Sequence, residues 1–223
     1  MNLTIDFDYE SLWRYLGQPD ELTEKKAVSV VERLYKVCTP KETHREFAVE
    51  KTSDGICLIG TGTILKGENI ARHLENCGGC IISALTLGTG ADMLVRTLSV
   101  SDMASSVICD SAASVLAEQL SAQNEEILRR EYAERKLFLT ESYSPGYGDF
   151  PLETNKEIDL LLMLNRRIGL AVTQDSLLLP RKSITSVIGI SEKNVKGSRA
   201  TCESCRLYSK CTLRKEGKHC GSR

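Results

Sequence analysis

The sequence predicts an α+β fold in which a mixed or antiparallel sheet packs against long helices. Helical and strand-like segments follow each other without the strict alternation that a parallel sheet requires. Residues 46–50 and 55–59 have the composition of strands and lie around the turn sequence Ser53-Asp54-Gly55, which is typical of an antiparallel hairpin. Residues 102–134 form one long helical segment, so the predicted fold combines a sheet with at least one long helix.

The first half of the chain alternates irregularly between helix and strand. Residues 21–38 place apolar side chains such as Ala27, Val31 and Leu34 at helical spacing, which predicts an amphipathic helix. The hairpin of residues 46–59 comes next. The following predicted elements are a short helix over 67–76, an apolar strand over 80–88 and a helix over 91–99.

The second half is predicted from turn and capping signals. Two prolines and two glycines over residues 144–151 indicate a rigid loop. Thr154 and Glu157 match a capping box, which predicts a helix from there through Arg167, and Gly169 closes it. The strands predicted in this half cover residues 136–141, 170–173 and 183–190.

Composition excludes several classes of protein. Of the 223 residues, 41% are hydrophobic, 26% are charged and 5% are aromatic, which excludes a disordered chain, a collagen and a coiled-coil rod. The longest apolar runs are far shorter than the roughly 20 residues that cross a membrane. The acidic N-terminal segment lacks the profile of a signal peptide. We therefore expect a soluble, cytoplasmic protein with no membrane or nucleic-acid partner.

Charge divides the chain into two parts. From residue 193 onward there are nine Lys or Arg and two acidic residues, a net charge of +7, whereas the residues before carry 20 basic and 28 acidic side chains, a net charge of −8. This change of sign predicts a body over residues 1–191 and a basic, Cys-rich tail over residues 192–223. The basic charge of the tail favours an acidic partner.

The tail contains four cysteines with the spacing C-x2-C-x5-C-x8-C, namely Cys202, Cys205, Cys211 and Cys220. A segment with so few aliphatic residues cannot bury a core, and a metal bound by four thiolates would supply the missing folding free energy. Four cysteines suit an iron–sulfur cluster or tetrahedral zinc. The spacing matches neither a zinc ribbon nor a ferredoxin, so iron–sulfur, zinc and no metal all stay open.

Two short motifs in the body resemble functional sites but are better explained as turns. Cys77 and Cys80 form a CxxC between a helix and a strand, whereas a reactive CxxC opens a helix that lowers the thiol pKa. The sequence Gly88-Thr89-Gly90 stands where a phosphate loop would be, but Met93 occupies the third glycine position of that motif. We therefore predict turns at both places.

A family resemblance is carried by motifs in residues 40–191. Pro145-Gly146-Tyr147 follows a strand, the next helix ends in Arg-Ile-Gly169, and the late strand contains Leu-Pro-Arg-Lys-Ser-Ile-Thr-Ser. Upstream lie Leu-Thr-Leu-Gly88 and the helical sequence Asp110-Ser-Ala-Ala-Ser-Val-Leu-Ala-Glu118. In order and spacing these motifs resemble the activation domain of cobalamin-dependent methionine synthase, in its stand-alone form. The tail lies outside the resemblance.

The resemblance implies a function in methionine biosynthesis. Members of this family bind S-adenosylmethionine and remethylate cobalamin that has been oxidised to cob(II)alamin, using an electron from a donor. The implied partners are a cobalamin-binding methionine synthase or a related corrinoid protein, and a low-potential electron donor. The alternative is a corrinoid-protein interaction module without S-adenosylmethionine chemistry, in which zinc stabilises a docking tail.

The resemblance also implies site residues. Glu118 would hold the ammonium group of S-adenosylmethionine, and the backbone of Pro145, Gly146 and Tyr147 would line its nucleoside. Ser142 stands where the family has an arginine that pairs with the carboxylate of the ligand, and Ser cannot form that charged fork. A second departure is Ile188, which stands where an aromatic residue is expected. Arg181 and Lys182 are the candidates to replace the missing charge.

Overall fold

A computed structural model describes residues 6–195 and 209–215. The helices are α1 (Tyr9–Leu16), α2 (Glu21–Val37), α3 (Glu68–His73), α4 (Thr89–Ser101), α5 (Met103–Glu134), α6 (Thr154–Leu162), α7 (Leu164–Ile168) and α8 (Thr212–Lys215). The strands are β1 (Lys41–Thr52), β2 (Gly55–Leu58), β3 (Ile64–Leu65), β4 (Gly79–Thr86), β5 (Phe138–Tyr143), β6 (Ala171–Val172), β7 (Leu178–Leu179) and β8 (Ser183–Ser191).

Six of these strands form one antiparallel sheet in the order β3-β2-β1-β4-β8-β5. The α+β prediction is confirmed, and so is the hairpin, whose strands pair from Val49 with Leu58 to Thr52 with Gly55. Strand β1 begins earlier than predicted because Lys41 to Ala48 pair with β4 on its other side. Strands β6 and β7 form a separate two-stranded sheet.

Helices cover both faces of the six-stranded sheet. Strand β4 is buried along its whole length, so side chains on both of its faces lie in a core. On one face, Leu85 packs with α1, α2, α4 and α5, and Ile81 packs with the C-terminal part of α5. On the other face, Ile82 packs with α3, α6 and α7. The long helix α5 therefore lies along one face of the sheet.

The predicted capping box does not form, and the helix that it was expected to open is interrupted. Glu153 is at the N-cap of α6 without a side-chain cap bond, and Thr154 is the first helical residue and is buried. Met163 has a left-handed backbone with φ 52°, which separates α6 from α7. The Asp159 carboxylate accepts a hydrogen bond from the backbone N–H of Leu164 at 3.2 Å and stabilises the break. Gly169 ends α7, as predicted.

The division between body and tail stays a prediction. Of residues 192–223 the structure describes 192–195 and 209–215, and the latter segment contains the short helix α8. In the described parts of the chain, every helix is too short or too polar to cross a lipid bilayer.

Candidate functional site

Strand β5 lies at the edge of the sheet and contains a bulge beside α5. Its register against β8 shifts between Leu139 and Ser142. The guanidinium of Arg129 donates hydrogen bonds to the backbone oxygens of Leu139 at 2.6 Å and Thr140 at 2.8 Å. Arg129 also forms an ion pair with Glu125, one turn earlier on α5, and Glu125 Oε2 accepts a bond from the Ser142 N–H at 3.3 Å. This pair on α5 holds the bulge in place.

Helix α3 holds the bulge from the opposite face of the sheet. The hydroxyl of Thr140 is hydrogen-bonded to His73 Nε2 at 2.9 Å and accepts a bond from the backbone N–H of Gly189 at 2.7 Å. The ring of Tyr143 lies against His73, with 5.3 Å between the ring centroids. All three side chains are buried, so the strand that leads into the next loop is fixed from both sides.

The loop over residues 144–151 is closed by its own hydrogen bonds. The backbone N–H of Gly146 donates to Phe150 O at 2.9 Å, and the hydroxyl of Tyr143 donates to Tyr147 O at 3.4 Å. Pro145 is buried and Gly146 has φ 93°, a left-handed backbone that favours glycine. The side chain of Tyr147 is 58% exposed. The loop is therefore held in one conformation by its own hydrogen bonds, and it exposes the backbone at Gly146 and the ring of Tyr147.

Asp149 connects this loop to the N-terminus of α3. Its carboxylate accepts bonds from the backbone N–H groups of Glu68 at 2.6 Å and Asn69 at 3.0 Å. Gly67 at the N-cap of α3 supplies no side-chain bond, so Asp149 caps the helix instead. Burial raises the pKa of the Asp149 carboxyl. The hydrogen bonds from the N–H groups of Asn69 and Glu68 outweigh this effect and hold the pKa below its usual value.

A polar cleft opens between α5 and the face of the sheet, beside the bulge. Its empty volume is about 270 Å³, which includes space open to solvent. Ser83 and Ser186 are paired across β4 and β8, and this polar pair separates the two apolar clusters on that face. The residues that line the cleft are Ser83, Leu85, Ser121, Asn124, Glu125, Ser142, Ile184, Ser186 and Ile188.

Two of the residues singled out by the resemblance line this cleft, and a third lies outside the lining, on α5. Ser142 and Ile188 are lining residues. Glu118 is exposed on α5, and its Oε1 accepts a hydrogen bond from the hydroxyl of Tyr15 at 3.1 Å. Positions three and seven residues apart share a helix face, so Glu118 lies on the same side of α5 as Ser121 and Glu125. From Ser142 the chain runs directly into the loop over residues 144–151.

Arg181 and Lys182 have other contacts. Arg181 is exposed, and its backbone N–H donates to the carboxylate of Asp92 at 2.8 Å. Lys182 Nζ is 2.9 Å from Asp110 Oδ1 and donates to the hydroxyl of Ser114 at 2.9 Å. The Lys182 side chain is only 11% exposed, so these contacts with α5 hold its ammonium group in place. Lys182 is not one of the residues that line the cleft.

Neither short motif in the body is a turn over its whole length, because Cys80 lies in β4 and Thr89 and Gly90 begin α4. Burial raises the pKa of Cys77 to about 11 and that of Cys80 to about 12, so both thiols are neutral near pH 7. At Gly88 and Gly90 an added Cβ would collide with Thr39 and with the backbone of α2, respectively. These glycines therefore allow α4 to pack closely against the end of α2.

The predicted metal ligands fall mostly outside the described residues. Cys202, Cys205 and Cys220 lie there, whereas Cys211 is described as a partly buried free thiol. Over residues 6–195 and 209–215, no group of three or more His, Cys, Asp or Glu side chains has the arrangement of a metal site. The metal prediction for the tail therefore stays a prediction.

Sequence reasoning missed Tyr15, Glu125 and Arg129. The i,i+4 spacing of Glu125 and Arg129 is a signal for an ion pair on a helix, but their contacts with β5 are not local in sequence. Tyr15 lies on α1, which the sequence analysis did not predict, although Asp8 at its N-cap and Gly17 at its C-cap are typical helix-end residues.

The fold is similar to a solved structure described as the MetH reactivation domain bound to AdoHcy. The TM-score is 0.65 at 16% sequence identity, and the match covers 98% of this chain and 79% of that chain. This chain has the reactivation-domain fold. The fold that the family resemblance implied is confirmed. A scan against models of protein families finds no match, and a search of curated proteins finds no significant relative.

Proposed function

We propose that this protein binds S-adenosylmethionine and supports the reductive remethylation of cobalamin on a partner corrinoid protein, such as a methionine synthase. The observation that carries the proposal is the reactivation-domain fold, since the solved domain with this fold was bound to AdoHcy, the demethylated product of S-adenosylmethionine. The polar cleft beside the bulge of β5 adds a place where the ligand would bind.

The residues around the cleft fit the chemistry of this ligand. Glu118 presents an exposed carboxylate on α5, and a carboxylate binds an ammonium group through charge-assisted hydrogen bonds. The exposed backbone at Gly146 and the exposed ring of Tyr147 provide polar and stacking contacts for a nucleoside. Ser142 lies between these two groups, in the cleft and at the start of the loop. The ligand would therefore lie across the end of β5.

The protein's part in the reaction would be to bind and orient. Bound S-adenosylmethionine supplies the methyl group that traps the reduced cobalt of the partner. The frame formed by Arg129, His73 and Asp149 fixes the strand and loop before the ligand arrives, which reduces the entropy lost on binding. His73 is buried and hydrogen-bonded to Thr140, so it holds the strand rather than moving protons at the cleft. Such a site works by position and electrostatics.

The tail is proposed as the part that meets an electron donor or the corrinoid partner. What supports this is the sequence: four cysteines with metal-binding spacing in a segment of net positive charge. An iron–sulfur cluster would give the tail a redox function, because such clusters reach potentials of about −700 mV. Zinc would instead stabilise the tail as a docking element.

A second candidate function is a corrinoid-protein interaction module that does not use S-adenosylmethionine. The cleft lining favours it in one respect, because Ser142 offers no cation for a ligand carboxylate and neither Arg181 nor Lys182 is part of the lining. The two candidates share the corrinoid partner and differ in whether the cleft binds the methyl donor.

The test is a reactivation assay under anaerobic conditions. A methionine synthase that lacks its own activation domain is loaded with cob(II)alamin, and a chemical reductant, S-adenosylmethionine and this protein are added. We expect methylcobalamin to form only when protein and S-adenosylmethionine are both present. Formation at the same rate without this protein would contradict the proposed function. Complex formation with the synthase without methyl transfer would support the interaction module.

A further inference from the structure

Two buried serines on the face of the sheet below α5 have hydroxyl groups without a protein partner. Ser83 of β4 and Ser186 of β8 lie opposite each other in the antiparallel register, and they are only 6% and 5% exposed. Over residues 6–195 and 209–215, neither hydroxyl has a hydrogen-bond partner. A buried hydroxyl without a partner costs free energy, so native proteins usually pair such a group with protein, water or a ligand.

The fold directs both hydroxyls into the cleft. Side chains alternate between the two faces of a strand, and Ser83 lies between Ile81 and Leu85, which both pack on the α5 side of the sheet. Both serines are accordingly lining residues of the cleft. Ser106, an equally buried serine of α5, instead donates a hydrogen bond to the backbone oxygen of Val95 at 3.0 Å. The two strand serines are therefore available to a molecule that enters the cleft.

The lining of the cleft favours a neutral group. Among the described residues that line it, Glu125 alone is ionisable, and its carboxylate is already paired with Arg129 and bonded to the Ser142 N–H at 3.3 Å. The other polar groups of the lining are serine hydroxyls and the amide of Asn124, which are neutral. A charged group would therefore be partly buried without an opposite charge, which is unfavourable. A ligand hydroxyl both donates and accepts, as the two serine hydroxyls do.

The position of the cleft indicates which hydroxyl of the proposed ligand enters it. Ser142 is a lining residue, and from it the chain runs directly into the loop over residues 144–151. In the proposed function, the exposed backbone of Gly146 and the exposed ring of Tyr147 contact the nucleoside. The 2′ and 3′ hydroxyls of an adenosyl ligand are on its ribose, next to the adenine. With the adenine at the loop, the ribose lies beside Ser142.

We infer that the cleft is a ribose subsite, in which the hydroxyls of Ser83 and Ser186 form hydrogen bonds with the ribose diol of an adenosyl ligand. The inference rests on the proposed function, because it assigns one part of the same ligand. It adds two residues of the central strands to a site that the family resemblance describes through α5 and the loop. It also accounts for a polar pair between two apolar clusters, where alanines would bury no hydroxyl.

Three ligands test the inference by isothermal titration. These are S-adenosylhomocysteine and its 2′-deoxy and 3′-deoxy analogues, each of which lacks one ribose hydroxyl. We expect at least one deoxy analogue to bind about fivefold or more weakly, the effect of losing one neutral hydrogen bond. A loss smaller than fivefold for both analogues would overturn the inference but not the proposed function. If none of the three ligands binds, both fail.

Two variants assign the ribose contact to the serines. Ser83→Ala and Ser186→Ala are each expected to lower the affinity for S-adenosylhomocysteine about fivefold. At least one of them is expected to change little the affinity for the more weakly bound deoxy analogue, because the bond that the variant removes is already missing there. Equal losses for both ligands in both variants, or unchanged affinity for S-adenosylhomocysteine in both, would overturn the assignment. The second result is the one expected if the hydroxyls bind only water.

Stability gives the matched control. Because no hydrogen bond within the protein is lost, Ser83→Ala and Ser186→Ala are expected to keep or raise the unfolding free energy measured in urea. Ser106→Ala is expected to show the opposite behaviour, with lower stability and unchanged affinity, because its hydroxyl is bonded to Val95 and lies outside the cleft lining. If the two cleft variants lose as much stability as Ser106→Ala, their hydroxyls are bonded within the protein, and the inference is wrong.

Discussion

Replacing Asp149 with alanine is expected to release the loop over residues 144–151 from α3. The carboxylate accepts bonds from the backbone N–H groups of Glu68 and Asn69, and no side chain of α3 itself can replace it, because Gly67 is at the N-cap. Loss of a capping carboxylate costs about 0.5–2 kcal/mol of unfolding free energy. For a chain of this length that is a decrease in melting temperature of about 2–4 °C per kcal/mol.

Urea unfolding of three variants measures this contribution. Asp149→Asn keeps one acceptor oxygen and is expected to lose less than Asp149→Ala. Asp175→Ala removes an exposed carboxylate from the turn between β6 and β7 and is the matched control, with an expected change within about 0.5 kcal/mol. An unfolding free energy of Asp149→Ala equal to that of the control would refute the capping argument.

The pH dependence gives a second, independent test of the same contact. The pKa of Asp149 is lower in the folded protein than in the unfolded chain, where it is about 3.9. The stabilisation is therefore complete above that value and is lost as the pH falls through the folded pKa. The difference in unfolding free energy between wild type and Asp149→Ala is expected to shrink below about pH 4. A difference that stays constant down to pH 3 would show that the charge of Asp149 does not matter.

Three further predictions concern the loop, the thiols and the tail. Tyr147→Ala is expected to weaken binding of S-adenosylmethionine about tenfold in a titration. The melting temperature is expected to change little, because the ring is 58% exposed. A large change in melting temperature with unaltered affinity would instead make Tyr147 a packing residue. Iodoacetamide is expected to alkylate Cys77 and Cys80 at pH 8 about a hundredfold or more slowly than an ordinary thiol, as followed by mass spectrometry. The reason is that burial raises their pKa values to about 11 and about 12. Rapid labelling would contradict the burial of these thiols. The anaerobically purified protein is expected to be brown, and Cys202→Ala to abolish the colour without affecting S-adenosylmethionine binding; a colourless protein with one equivalent of zinc would exclude the redox function of the tail.

Elements with strong local signals could be predicted from the sequence. The helix that begins at Glu21 and the long helix that begins at Met103 follow their periodicity, and the turn at Ser53-Asp54-Gly55 correctly places the hairpin. The break at Met163 was not predictable in this way. It depends on a left-handed backbone at a residue that does not favour one, held by the contact between Asp159 and Leu164.

The candidate site is harder to predict because its parts meet only in the folded sheet. Ser142 and Glu125 are far enough apart in sequence that no motif joins them, and the bulge that brings them together depends on a register shift against β8. The resemblance drew attention to Ser142 and to Glu118, which lies two helical turns before Glu125 on the same face of α5. A local pattern therefore locates the helix, and the packed strand decides which residue of that helix lines the cleft.

Equilibrium dialysis of the purified protein with radiolabelled S-adenosylmethionine tests the central claim most directly. We predict saturable binding of one equivalent per chain, competed by S-adenosylhomocysteine and weakened in both Tyr147→Ala and Glu118→Gln. Binding unaffected by either substitution would place the ligand elsewhere on the protein. The absence of saturable binding would contradict the account and leave the fold as a corrinoid-protein interaction module.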